Sequence, residues 1–311
     1  MTDDQDATDE DIDVFDRSDT EEVPKTYDQW ASLPSSTLLS PQEADELLRW
    51  RFASLIAIVG ERNGGKTTLV TEIYERFLRG PFADTFFCHS WSLLGFERKS
   101  FQSRAESGID IPDTPRTSAQ DGLKFFHLAV SEVSDLRRID FLISERAGEV
   151  YRDFRDRPER AADLLEIRKA AVVVFIIDGE RVAESRQRSE VFASVRNMIR
   201  ALSENDNLAS SAQIQLVTTK CDLFEGSGAA DALETLSDFE NRITALFGKK
   251  YPVRSFRTIA RDPRGIVEPA HGLDRLLRSW VETSVPQPAN EVKLPELADE
   301  FDRLLLRRIV Q

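Results

Sequence analysis

The chain has only two cysteines, Cys88 and Cys221, and no long apolar run. Two cysteines make neither a disulfide framework nor a thiolate zinc site. No stretch reaches the about 18–20 apolar residues that a helix needs to span a bilayer. The opening, MTDDQDATDEDID, lacks the basic and then apolar character of a signal peptide, so a cytoplasmic location is expected. Internal repeats are missing too, and low complexity is confined to the tail. His89 and His127 sit among apolar residues without a visible ligand partner and read as structural.

The acidity is local. Of the net charge of −14, residues 1–22 carry −10 through eleven Asp/Glu and one Arg, leaving −4 for the other 289 residues. Residues 1–25 therefore read as a disordered acidic tail that cannot bury enough surface to fold. Nothing indicates nucleic-acid binding. Residues 26–50 form a flanking segment in which Ser40-Pro41-Gln42-Glu43, a capping box with proline at the first helical position, opens a short helix through Trp50.

The organising stretch follows. An apolar run, LIAIV at 55–59, reads as a buried strand. Gly60-Glu61-Arg62-Asn63-Gly64-Gly65-Lys66-Thr67 matches G-x-x-x-x-G-K-[ST], and Leu69, Val70, Ile73, Tyr74 and Phe77 then recur at helical spacing. Strand, glycine loop and helix make a phosphate cradle. Gly60, Gly64 and Gly65 let backbone N–H groups turn toward phosphate oxygens, aided by the positive end of the helix that begins at Lys66, Thr67 and Thr68. Lys66 suits the β/γ-phosphates and Thr67 offers a hydroxyl to Mg²⁺. The implied ligand is a nucleoside triphosphate.

Downstream, residues 84–89 read as a strand, 93–104 as a helix, and the polar stretch around 105–122 as a long loop. Runs at 123–133 and 138–144, joined by Ser134-Asp135-Leu136-Arg137, read as an antiparallel hairpin. The second run leads into Glu145-Arg146-Ala147-Gly148-Glu149, then an arginine-rich segment and a helix from about Pro158. Strands at 171–177, 214–218 and 253–259 alternate with helices at 183–202, 230–247 and 272–281. The expected fold is α/β: a three-layer P-loop NTPase, mostly parallel with one antiparallel hairpin strand, over residues 51–284. Residues 285–311 read as a proline-marked linker and a C-terminal amphipathic helix.

Thr219-Lys220-Cys221-Asp222, after the strand QIQLVT, resembles the [NT]-K-x-D guanine-recognition motif of P-loop GTPases. A carboxylate at Asp222 can accept from both N1–H and the 2-amino group of guanine, a donor pair adenine lacks. The Lys220 stem is expected over the purine with its ammonium tied to the P-loop. Glu145-Arg146-Ala147-Gly148 stands where the family has D-x-x-G. Gly148 suits a backbone N–H close to the γ-phosphate, while Glu145, in place of the usual Asp, is the expected metal-side acid. Glu149 falls where many members carry a water-orienting Gln. Arg146, or one of Arg152, Arg155, Arg157 and Arg160, is a candidate arginine finger, against ordinary salt bridging with Asp153 and Asp156. Thr117, or else Thr114, is expected to supply the switch threonine to the metal.

Asn63 resembles the P-loop asparagine of tRNA-modifying and ribosome-assembly GTPases that use potassium, which adds K⁺ to the expected ions; a turn-stabilising role is the alternative. The motif order, ending in Thr258-Ile259-Ala260 beside the base, resembles the translation-factor-related class of P-loop GTPases. R-A-G-E-V followed by V-V-V-F-I-I-D-G-E-R resembles the bacterial double-GTPase proteins. That resemblance implies GTP hydrolysed with Mg²⁺, GTP/GDP as ligands, a second GTPase or other effector as partner, and a regulatory place in conflict or defence systems. The rival readings are an ATPase using Asp178 and Glu180, and a GTP-holding scaffold with little turnover.

Overall fold

The computed structural model describes residues 37–101, 122–157, 163–225, 228–262 and 267–284. The acidic tail, the loop bearing Thr114 and Thr117, Arg160 and the terminal helix lie outside the described residues.

Helix α1 (Pro41–Trp50) opens with the capping box: the Ser40 N–H donates to Glu43 Oε2 (2.7 Å) and the Glu43 N–H to Ser40 Oγ (3.2 Å). These bonds satisfy backbone donors that a helix start otherwise leaves unpaired. Its Ala44 and Leu47 pack with Leu39, Phe125 and Leu142.

Seven strands follow in the chain: β1 (Ser54–Val59), β2 (Thr85–His89), β3 (Lys124–Glu132), β4 (Arg138–Glu145), β5 (Val172–Asp178), β6 (Gln213–Thr219) and β7 (Val253–Arg257). They form one sheet in the order β2-β3-β4-β1-β5-β6-β7. Only β3 runs against the others, antiparallel to both β2 and β4, so the expected single reversed strand is present. Alternation along β1 divides the core. Ile56 and Ile58 face α2 (Lys66–Phe77), α3 (Leu93–Phe101) and α9 (Leu273–Thr283). Ala57 and Val59 share a core with α4 (Gly148–Asp156), α5 (Leu165–Arg168), α7 (Ser185–Glu204) and α8 (Ala229–Phe247). The three layers are thus helices, sheet and helices. All seven residues of β5 are buried, as its continuous apolar run requires of a central parallel strand.

Three elements depart from the sequence expectation. Residues 148–156, read only as an arginine-rich segment ahead of a helix from about Pro158, themselves form α4; Tyr151 and Phe154, three apart on one face, drive it into the core. The helix expected at 183–202 is present as α7, but a short helix α6 (Gly179–Ala183) that was not expected precedes it, separated from it by the extended Glu184 (φ −81°, ψ 107°). The last strand stops at Arg257 rather than 259, as Ile259 turns away to bridge His271.

His127 is fully buried and carries a defined tautomer. Its Nδ1 accepts the Trp91 N–H (3.0 Å), so the proton lies on Nε2, which donates to Asp140 Oδ1 (3.1 Å). Burial disfavours the Asp140 carboxylate, but hydrogen bonds from His127 and Arg138 outweigh it and bring its pKa from 3.8 to about 2. A depressed carboxylate pKa contributes stability that is present above the unfolded value and lost as pH falls from near 4 toward 2, on the order of 2 kcal/mol. Urea unfolding of Asp140→Asn at neutral pH is expected to show about that loss, with a flatter decline between pH 4 and 2; an unchanged acid limb contradicts this.

Candidate active site at the P-loop

The cradle is built where β1 ends. Gly60 and Gly64 pass over the Ile176 side chain of β5. Gly65 takes a left-handed conformation (φ 84°) that starts α2 without strain. Asn63 is left-handed too (φ 62°), a conformation asparagine tolerates better than most residues. Lys66, the first residue of α2, folds back so that Nζ donates to the carbonyls of Gly60 (2.9 Å) and Glu61 (3.0 Å). Burial lowers its pKa, while Glu145, Glu149 and Glu61 raise it in part. The Thr68 carbonyl accepts from Thr71 Oγ1 (3.2 Å), inside the helix start.

Glu145 closes β4 and is buried. The Thr67 hydroxyl donates to its Oε1 at 2.7 Å. The extra methylene of glutamate over aspartate therefore spans the gap to the loop. A hydroxyl and a carboxylate converging on one point are hard oxygen donors, and such a pair fits Mg²⁺, which takes one or two carboxylates and completes its shell from phosphate and water. Among the described residues no group of three or more His, Cys, Asp or Glu could hold a metal ion.

Gly148 begins α4 against the P-loop. A Cβ there would stand 2.3 Å from Arg62 N and 2.5 Å from Glu61 C, so only glycine fits. Glu149, next in α4, pairs with Arg62 (3.5 Å). Arg146 faces α5. Its guanidinium grips the buried Glu166, with Nε 2.8 Å from Oε1 and Nη2 3.1 Å from Oε2, which anchors α5 to the turn after β4. Burial pushes the Glu166 carboxyl up despite this partner. Arg155 is bound to Glu61 (2.7 Å) and Asp156, and Arg157 pairs with Asp153 (3.9 Å).

The base side is set by β6 and the turn after it. Thr219 Oγ1 donates to the Gly64 carbonyl (2.9 Å), tying this strand to the cradle. Lys220 does not do so, against expectation: it is left-handed (φ 52°), and its Nζ binds Asp178 Oδ1 (3.1 Å) and Glu180 Oε2 (2.7 Å). Two carboxylates at the end of β5 outcompete neutral loop carbonyls for the ammonium. Asp178 also caps α6, accepting the Glu180 N–H (3.2 Å). The pair required by the ATPase reading is thereby engaged by Lys220. Asp222 lies half-buried in the 3-10 turn Cys221–Leu223, which the Cys221 N–H fastens to the Thr258 carbonyl (3.2 Å). Ala260 follows, its carbonyl accepting the Ala270 N–H (3.0 Å). A cavity of about 750 Å³ lies apart from the cradle, beside β7, lined by Arg76, Glu240, Arg257 and His271 among others.

Sequence reasoning missed Glu61 and Arg62, which occupy positions the motif leaves open. Glu61 receives Arg155, Arg181 Nη1 (2.9 Å) and Ser194 Oγ (2.6 Å). Burial opposes its ionisation, but these partners bring its pKa down. Adjacent opposite charges inside the loop were the available signal.

A triphosphate cradle, a hydroxyl–carboxylate pair beside it and a T-K-x-D turn tied to it define a P-loop NTPase of the GTPase type. The chain belongs to the Double-GTPase 2 (DO-GTPase2) family, whose model matches residues 54–281. No curated protein matches it. Among solved structures it is similar to a signal recognition particle receptor SRβ–GTP/SRX complex chain from Chaetomium thermophilum, at 16% identity over 76% of this chain and 100% of that one, TM-score 0.42. It is also similar to the GTPase-like domain of Ski7 from S. cerevisiae bound to GDP and inorganic phosphate, at 14% identity over 79% of this chain and 53% of that one, TM-score 0.44. Elongation factor SelB from Methanococcus maripaludis matches at 14% identity over 75% of this chain and 34% of that one, TM-score 0.33. The chain thus spans about half of the Ski7 chain and a third of SelB. Among the described residues no helix is long and apolar enough to cross a membrane.

Proposed function

We propose that the protein binds GTP with Mg²⁺ and hydrolyses it to GDP and phosphate, acting as a conformational switch toward a second GTPase or another protein effector in a bacterial conflict or defence system. The observation that carries the chemistry is the 2.7 Å contact between Thr67 and Glu145, which brings the loop hydroxyl and the β4 carboxylate to one point. Family membership supports guanine as the base and a second GTPase as the partner.

In this reading Lys66 leaves the Gly60 and Glu61 carbonyls for the β/γ-phosphates. Thr67 and Glu145 would hold Mg²⁺, with Thr117, outside the described residues, as the expected third protein ligand. Bound Mg²⁺ would neutralise charge on the phosphates as the bond to the γ-phosphoryl group breaks. Gly148 presents its N–H to the γ-phosphate, and Glu149 orients the attacking water. Loss of phosphate removes what Gly148 and the Thr117 loop bind, which releases both.

Glu145→Gln tests the metal side. It keeps the shape but removes the charge, so the Mg²⁺ concentration for half-maximal GTP turnover is expected to rise about tenfold. An unchanged Mg²⁺ dependence would remove Glu145 from the metal site.

A further inference from the structure

The P-loop carries adjacent opposite charges, and both reach α4. Glu61 is the fixed one: its side chain is 19% exposed and accepts from Arg155, Arg181 and Ser194. Arg62 is held differently. Its side chain is 55% exposed, its ion pair is with Glu149, itself 43% exposed, and the distance is 3.5 Å. Ion pairs this exposed are weak and readily exchanged.

The place of this pair gives it meaning. The Arg62 backbone lies against Gly148, whose N–H faces the γ-phosphate in the reading above. Glu149 is close enough to Lys66 to influence its charge, as is Glu145. Arg62 and Glu149 therefore pair beside Gly148, on the loop whose Gly60 and Glu61 carbonyls hold the Lys66 ammonium. A terminal phosphate there carries about two negative charges and matches the planar guanidinium fork, so it is a stronger partner for Arg62 than a solvated carboxylate.

We infer that Arg62 is the residue that distinguishes a nucleoside triphosphate from a diphosphate, exchanging Glu149 for the γ-phosphate when the triphosphate binds. In the empty or diphosphate-bound site the guanidinium occupies Glu149 and holds the start of α4 to the loop. With a γ-phosphate present it turns to the phosphate, and the Glu149 carboxylate is left to face water. Arg62 is thus a positioning residue for Glu149 as well as a phosphate ligand. The inference rests on the GTP reading and deepens it.

The test uses the full chain and two probes, GDP and a non-hydrolysable GTP analogue, with dissociation constants measured for the wild type, Arg62→Ala, Arg62→Lys and Glu149→Gln. Arg62→Ala is expected to lower the analogue-to-GDP affinity ratio about tenfold, the size of one charge-assisted phosphate contact. Arg62→Lys, which keeps the charge but not the fork, should keep part of it. Glu149→Gln removes the competitor, so the ratio should rise, by about two- to threefold. Partners in a purely structural clasp would shift the ratio in one direction together. The inference is overturned if Arg62→Ala leaves the ratio within twofold of wild type, or if Arg62→Ala and Glu149→Gln move it the same way. A wild type that binds neither probe overturns the GTP reading itself, and this inference with it.

Discussion

Gly148→Ala is expected to slow GTP turnover by about 100-fold or more, though the substitution adds a single methyl group. That methyl would stand 2.3 Å from Arg62 N, 2.5 Å from Glu61 C and 2.7 Å from Arg62 Cα, all backbone atoms that no rotamer change can move aside. Relief needs a displacement of about 1 Å, and a shift of that size at a reacting centre costs on the order of 10²-fold in rate. The P-loop is the stiffer side. Thr219 holds Gly64, and Arg181 and Ser194, both outside α4, hold Glu61. It is therefore α4 that moves, carrying Glu149 away from the phosphate, with overpacking costing about 1–3 kcal/mol of stability. Single-turnover phosphate release beside GDP affinity separates the effects: turnover collapses while GDP binding suffers far less. Turnover within threefold of wild type would mean that Gly148 does not approach the phosphate.

Much of this site is legible in the sequence because its chemistry demands particular residues at fixed spacing. Gly60–Thr67 states the cradle outright, and T-K-C-D after a buried strand states the turn beside it. The reversed strand β3 was readable from two apolar runs four residues apart. What could not be read depends on partners distant in the chain. Lys220 was expected at the P-loop, and only the fold shows that Asp178 and Glu180 lie nearer to its ammonium. The partner of Arg146 was equally hidden, because it is α5 that brings Glu166 beneath it. Glu61 and Arg62 fill open positions of a motif, so the pattern assigns them nothing, yet they carry its connections to α4. Helix α6 was not read because Asp178 caps it directly at the end of β5, and no Gly or Pro at Glu184 separates it from α7.

Asp222→Asn has the other large expected effect. An ionised carboxylate accepts from two guanine donors at once; an amide offers one acceptor and sets its own N–H₂ against the other donor. A site built to hydrogen-bond a ligand loses orders of magnitude when the pattern is broken, because a buried polar group is left unmatched. A loss of guanine preference of at least about 100-fold is expected. Folding should survive, since the turn is held by the Cys221 backbone bond to Thr258 rather than by the ligand. The most direct test of the account is single-turnover phosphate release from GTP and from ATP, measured side by side with Mg²⁺ for the wild type and Asp222→Asn. The account predicts release from GTP at least about 100-fold more efficient than from ATP in the wild type, with that advantage lost in the variant. Equal release from both nucleotides, or a guanine preference that Asp222→Asn leaves intact, would contradict it.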